Sequence, residues 1–252
     1  MLNVLFALIG LLLGGIINFL ADYLPASERR LRPHCPHCGH VYDPVGWLAL
    51  TRQLRYGGKC PECQLSLRRR PLLVEVGMTL LFAALPSLIP NPANLIVNSF
   101  HIAVLVLVIV IDLENRLIFD VVTYPATVLA LAGSLFVTKA ENTLPLALVG
   151  AVTGYIFFYI LYRLAHLLYG SSSGALGGGD VKLAMAMGAM LGFHRILFAL
   201  FLGVILGGVV SLLLLLSRRV DRHSHLPYGQ YLALAGIVML IWGARVAEQY
   251  AN

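Results

Sequence analysis

The chain has 252 residues, of which 59% are hydrophobic and 12% charged, with a formal net charge of +6. No water-soluble domain of this size needs so much apolar surface, so the composition excludes an ordinary globular enzyme and marks a polytopic membrane protein. The basic excess, which elsewhere would suggest nucleic acid, is read here as marking loops on the cytoplasmic side.

In chain order, the first apolar run, Leu2 to Leu20, lacks a basic start and a small-residue cleavage site and is long enough to span, so it reads as a retained first helix. At about 20 apolar residues per crossing, spans are expected at 2–24, 72–90, 95–113, 121–138, 144–169, 181–193, 195–217 and 228–247. The segment Gly192-Phe193-His194-Arg195 separates the sixth from the seventh, since 181–217 is too long for one span. The expected fold class is all-α, a membrane helical bundle of about eight helices with a small extramembrane domain. Its parts are a first helix at 1–24, a metal-binding domain at 25–71 and a membrane domain at 72–252.

Nine of the eighteen basic residues lie between Arg29 and Arg70, so that segment should be cytoplasmic. Alternation then puts the loops around Arg116, Lys182 and Arg218-Arg219-Arg222 inside as well. Ser171-Ser172-Ser173-Gly174 reads as a flexible hinge ahead of a glycine run, apt for a gate.

All four cysteines fall in the extramembrane segment, as Cys35-Pro-His-Cys38 and Cys60-Pro-Glu-Cys63. Two such knuckles at this spacing match a tetrahedral zinc site with Cys35, Cys38, Cys60 and Cys63 as ligands. Gly39 and Gly57-Gly58 suit tight knuckle turns, and a cytoplasmic location argues against disulfides. Four thiolates would fill the shell, which makes the zinc structural. His34, His37 and His40 crowd the first pair and could replace a ligand, but they read first as solvated loop residues.

Two carboxylates stand where apolar helix meets the border. Asp180 closes Gly177-Gly178-Gly179-Asp180, and Asp112 ends the run from Ile102 to Ile111. Such residues are functional by default, and two at one depth suggest a dyad sharing a proton, as in aspartyl proteases. The bland alternatives are an N-cap role for Asp180 ahead of Val181 and a pairing of Asp112 with Arg116. Glu114 and Asp120 flank Asp112, so spacing alone does not single out the reactive acid there. Asn18 and Glu75 read as interhelical hydrogen-bonding groups, and Leu226-Pro227-Tyr228-Gly229 as turn chemistry opening the last helix.

Together these residues resemble the type IV prepilin peptidase family, the bifunctional leader peptidases and N-methyltransferases of type IV pilus and type II secretion systems. The resemblance runs from an Asn-bearing first helix through the cysteine pairs, Pro71-x-x-x-Glu75, the Asp112–Asp120 segment, Gly177-Gly-Gly-Asp180-Val-Lys182-Leu and Leu226-Pro-Tyr-Gly229. It implies an aspartic endopeptidase with Asp112 and Asp180 as its catalytic pair. Prepilins and pseudopilins would be the substrates, S-adenosylmethionine the methyl donor and the bacterial inner membrane the location, with the active face and zinc domain cytoplasmic. No glycine-rich fingerprint for the donor is visible, and the polar surface of 25–71 near Glu75 is the expected place for it. The chain departs from the family pattern at Phe119, where the family has proline before the aspartate, and at Gln230, where the family carries a second proline. The rival readings from the residues alone are an ion- or proton-coupled transporter using the Asp112/Asp180 pair and a zinc-stapled scaffold in which both acids are caps.

Overall fold

The computed structural model describes residues 1–26, 33–35, 37–43, 45–137, 142–169, 177–217 and 228–251. The hinge expected at Ser171–Gly174 and the basic residues Arg218, Arg219 and Arg222 lie outside them. The described chain is all-helical apart from two isolated β-bridges, and it divides into two compact units, Met1–Pro90 and Asn91–Asn252.

In the first unit, α1 (Leu2–Tyr23) packs along α3 (Arg70–Leu88). Small residues let the two backbones meet. A Cβ on Gly10 would sit 2.7 Å from Cβ of Phe82, and one on Gly14 would sit 2.8 Å from Cα of Glu75. Asn18 Nδ2 donates to the Pro71 carbonyl at 2.8 Å, and at the other end Asn3 Nδ2 donates to Ser87 Oγ at 2.9 Å. The helices are therefore antiparallel. Between them a 3₁₀ turn (Val45–Trp47) leads into α2 (Ala49–Tyr56), a helix absent from the expected spans. Leu48, the residue before α2, has no side chain able to cap it. Glu75 does the work from α3 instead, accepting the N–H groups of Ala49 at 2.7 Å and Leu50 at 2.8 Å. It is wholly buried, and beside the interhelical hydrogen bond expected of it, made with Asn18 of α1, its two oxygens fix the start of α2.

The second unit holds α4 (Pro92–Asn115), α5 (Asp120–Gly133), α6 (Leu144–Tyr169), α7 (Gly178–Leu216) and α8 (Gly229–Ala251). Asn91 caps α4 through bonds from the N–H groups of Ala93 and Asn94, with Pro92 at the first helical position. Helix α7 is roughly 58 Å long at 1.5 Å per residue, too long for one crossing, and it leaves helical geometry at Gly192 (φ 75°, ψ 173°). Asn142 Nδ2 donates to the carbonyls of Ala189 and Met190 beside the break, satisfying groups the interrupted ladder would strand. The expected break falls there. Gly150 and Gly154 of α6 meet the α7 backbone at Gly188 and Ala184 with no room for a side chain, a small-xxx-small crossing.

Among the described residues five helices (α1, α3, α4, α6 and α7) are long and apolar enough to cross a membrane, while α5 and the Gly229–Gly243 stretch of α8 are apolar but shorter. The all-α membrane architecture is as expected, and counting α7 as two pieces recovers eight segments.

Candidate active site

Asp112 lies in the last turn of α4, which ends where Arg116 turns left-handed at φ 55°. Asp180 lies in the first turn of α7 as its third residue, so the helix begins at Gly178 rather than after the acid. Its Oδ2 reaches back to accept the Gly177 N–H at 3.0 Å, the acidic half of a capping box. Asp112 Oδ2 accepts the Gln230 N–H at 2.9 Å, from the first turn of α8. Both acids are buried, Asp112 at 4% and Asp180 at 7% exposure. They are near enough for the Asp112 charge to act on Asp180. Among the described residues, Oδ1 of each has no hydrogen-bond partner. The charge of Arg116, one turn on, also acts on Asp112.

The structure also separates the three acids that the local spacing left equivalent. Glu114 points to the exposed side. Asp120, exposed at the start of α5, takes Lys182 Nζ on both oxygens at 2.7 Å. Only Asp112 is buried toward Asp180.

Ile118, which the sequence reading assigned no role in the site, sits between the ends of α7 and α8. A Cβ on Gly179 would come within 2.8 Å of Ile118 Cβ, and one on Gly229 within 2.7 Å of Ile118 Cδ1 and 3.1 Å of Asp112 Oδ2. The glycines flanking each acid are therefore spatial requirements, which lets helix ends close on the carboxylates. Tyr228 and Gly229 belong to this wall, more than turn chemistry, with the Tyr228 ring against Gly207 and 6.0 Å from Phe158.

In the first unit the four cysteines are free and converge, their Sγ atoms all within 4.8 Å of one another. Cys35–Cys63 is 3.9 Å and Cys38–Cys60 3.7 Å. Four sulfurs about 2.3 Å from a tetrahedral zinc lie about 3.8 Å apart, so the cluster fits the ion. The histidines are not part of it; His34 pairs in a β-bridge with Val41, and His40 faces Glu62 at 3.7 Å. Each knuckle folds alike. The N–H of Gly39 bonds the Cys35 carbonyl and that of Gln64 bonds the Cys60 carbonyl, both from left-handed residues. The second knuckle thus uses Gln64 where Gly57-Gly58 were expected to turn; Gly57 ends α2 instead. Desolvation pushes the Cys35 thiol up, but the N–H groups of Cys38 and His37 and the neighbouring thiols outweigh it and hold it at about 6. At Cys38 the His40 N–H favours the thiolate, yet desolvation and the other three thiols raise the group to about 12. The N–H groups around Cys35 thus favour its thiolate, the form that binds metal.

Two family models match this chain. The type IV leader peptidase family covers residues 99–212, and the bacterial peptidase A24 N-terminal domain covers residues 8–88. The chain is 32% identical over 220 residues to the prepilin leader peptidase/N-methyltransferase of Aeromonas hydrophila, across 87% of this chain and 74% of that protein. The protein of the same name from Pseudomonas aeruginosa is 28% identical over 271 residues, covering 96% and 91%. No solved structure matches. The first model takes in both buried acids and the second all four cysteines, so the two sites built above fall where the matches do, and the chain belongs to the type IV leader peptidase family.

Proposed function

We propose that this protein is a membrane aspartic endopeptidase that removes the leader from type IV prepilins and pseudopilins, with Asp112 and Asp180 as the catalytic pair. The observation that carries the reading is the pairing itself. Two buried acids lie near enough for the charge of Asp112 to act on Asp180, each with one oxygen fixed by a backbone N–H and the other left for a reactant. The ionised member takes a proton from water as the oxygen bonds to the scissile carbonyl carbon. The protonated member hydrogen-bonds to the carbonyl oxygen, then gives its proton to the leaving nitrogen as the C–N bond breaks. The pair titrates jointly, so the two roles belong to the pair. No metal is needed in these steps. A substrate helix lying in the bilayer presents its leader junction at the depth of these helix ends.

Orientation rests on charge. Half of the basic residues lie between Arg29 and Arg70, which supports a cytoplasmic segment 25–71 in a bacterial inner membrane, with alternation giving the Asp112 and Asp180 ends the same face. The cysteine cluster holds a structural zinc, because four thiolates leave no position for substrate.

N-methylation of the new terminus is the second activity in the relatives' name, and S-adenosylmethionine supplies the methyl group when bound. The expected seat near Glu75 does not suit it. Glu75 is spent on α2, and among the described residues the cavity beside it is lined by four guanidinium groups and one carboxylate, whereas the donor is a net cation. No step is derived through it.

The test is co-expression with a prepilin. Wild-type protein should release the leader and leave a methylated terminus, read by mass spectrometry of the pilin. A correctly inserted wild-type protein that leaves prepilins of several systems uncut would overturn the peptidase reading.

A further inference from the structure

We propose that the cavity between the last turn of α1 and the first turn of α3 seats the phosphate headgroup of an anionic phospholipid. The cavity has a volume of about 270 Å³, and Asn18, Trp47, Arg52, Arg68, Arg69 and Arg70 form much of its wall. Among the described residues that line it, Asp22 is the one carboxylate, and that group is taken by Arg70 at 2.9 Å. The lining is thus strongly positive, and arginine's planar fork matches a phosphate better than any other side chain does. Among the described residues Arg52 Nε is buried without a hydrogen-bond partner, and so is Oδ1 of Asn18, a residue 6% exposed. A buried donor left unmatched costs free energy, so these groups point to a missing occupant with acceptor oxygens and a hydroxyl to donate.

Position selects a lipid over a soluble phosphate. Helix α1 ends at Tyr23 and α3 begins at Arg70, so the cavity lies at the membrane border. Phe19, Tyr23 and Trp47 line it, the aromatic types that favour the headgroup level. Below it Ile16, Leu73 and Val76 are exposed, at 40%, 70% and 40%, an apolar surface on which acyl chains can lie. Basic pockets between membrane helices take anionic headgroups for these reasons. The inference is independent of the peptidase reading.

The test uses the full-length, zinc-loaded protein, taken from neutral detergent into native mass spectrometry after equilibration with phosphatidylglycerol or phosphatidylcholine. One phosphatidylglycerol should be retained in preference to phosphatidylcholine. Arg52→Gln with Arg69→Gln should weaken retention at least about tenfold, the scale of one lost charge-assisted hydrogen bond. Arg163→Gln, an exposed site on α6, should retain the lipid as wild type does, and zinc content shows that each variant has folded. Photo-cross-linking of the wild-type protein with a headgroup-labelled phosphatidylglycerol needs no variant and should mark residues 47–53 or 67–72. Equal retention of both lipids, displacement by free glycerol phosphate at equal concentration, or labelling of those peptides by S-adenosylmethionine would each overturn the proposal.

Discussion

The Gln230 N–H donates to Asp112 Oδ2 at 2.9 Å across 118 positions of sequence, so the first turn of α8 orients an acid on α4. The resemblance drawn from the sequence would put a proline at position 230, and proline has no N–H to give. In this chain Gln230 supplies a fixed donor to one member of the buried pair. Gln230→Pro tests it, since proline is tolerated in a first helical turn. The variant should insert and accumulate normally. Leader cleavage should fall by roughly tenfold, the lower end of the range for one hydrogen bond to a charged group, as measured by the rate of prepilin processing. A loss as deep as that of an aspartate variant would mean that α8 itself is displaced.

Asp112→Asn and Asp180→Asn should each lower cleavage by at least about 100-fold, the lower range of general acid–base catalysis, with unchanged membrane accumulation. Glu114→Gln should cleave normally, because Glu114 is exposed and outside the pair. Processing of a prepilin by either asparagine variant at wild-type rate would remove that residue from the mechanism.

Gly229→Val should be inactive for a steric reason. Its Cβ would overlap Ile118 Cδ1 at 2.7 Å and crowd Asp112 Oδ2 at 3.1 Å. Ile118→Ala empties that contact, so the double variant Gly229→Ala with Ile118→Ala should recover part of the cleavage that Gly229→Ala alone loses. Additive losses in a double-mutant cycle would show that the two residues do not press on each other.

Asp120 and Lys182 form an exposed ion pair from the start of α5 to the first turns of α7, two residues past Asp180. Pairs of this kind contribute roughly 0.2–1 kcal/mol. Asp120→Asn should therefore slow cleavage only a few-fold, and the swap Asp120→Lys with Lys182→Asp should restore most of it. Complete inactivity of Asp120→Asn in stably inserted protein would give Asp120 a chemical role in place of a positioning one.

Purified protein should carry about one zinc per chain, as expected for a tetrahedral four-thiolate shell, and lose it with Cys35→Ser or Cys60→Ser. Backbone amides of 45–67 should then exchange faster, since the metal organises a segment with little core of its own. Protons compete with zinc for the thiolates, so retention should weaken as pH falls. Metal analysis across pH with hydrogen exchange checks both points, and freshly prepared protein without zinc would refute the assignment.

The sequence by itself determined the helices and their order, because runs of about twenty apolar residues have one stable form in a bilayer. It also determined the cysteine cluster, whose paired spacing is a local property of two knuckles, and the break at Gly192, where a glycine interrupts a run too long for one span. It marked Asp112 and Asp180 as costly residues in apolar surroundings. It did not reveal α2, whose start is fixed from outside by Glu75, nor the left-handed turn at Gln64, which ordinary turn composition hides. It left Asp112, Glu114 and Asp120 equivalent, since one helix period cannot say which acid meets another helix. Only the tertiary structure decided that. The small residues that let α6 meet α7, the seating of Ile118 between Gly179 and Gly229 and the approach of Gln230 to Asp112 are contacts between positions far apart in the chain, and they depend on how helix surfaces fit rather than on any local pattern of residues.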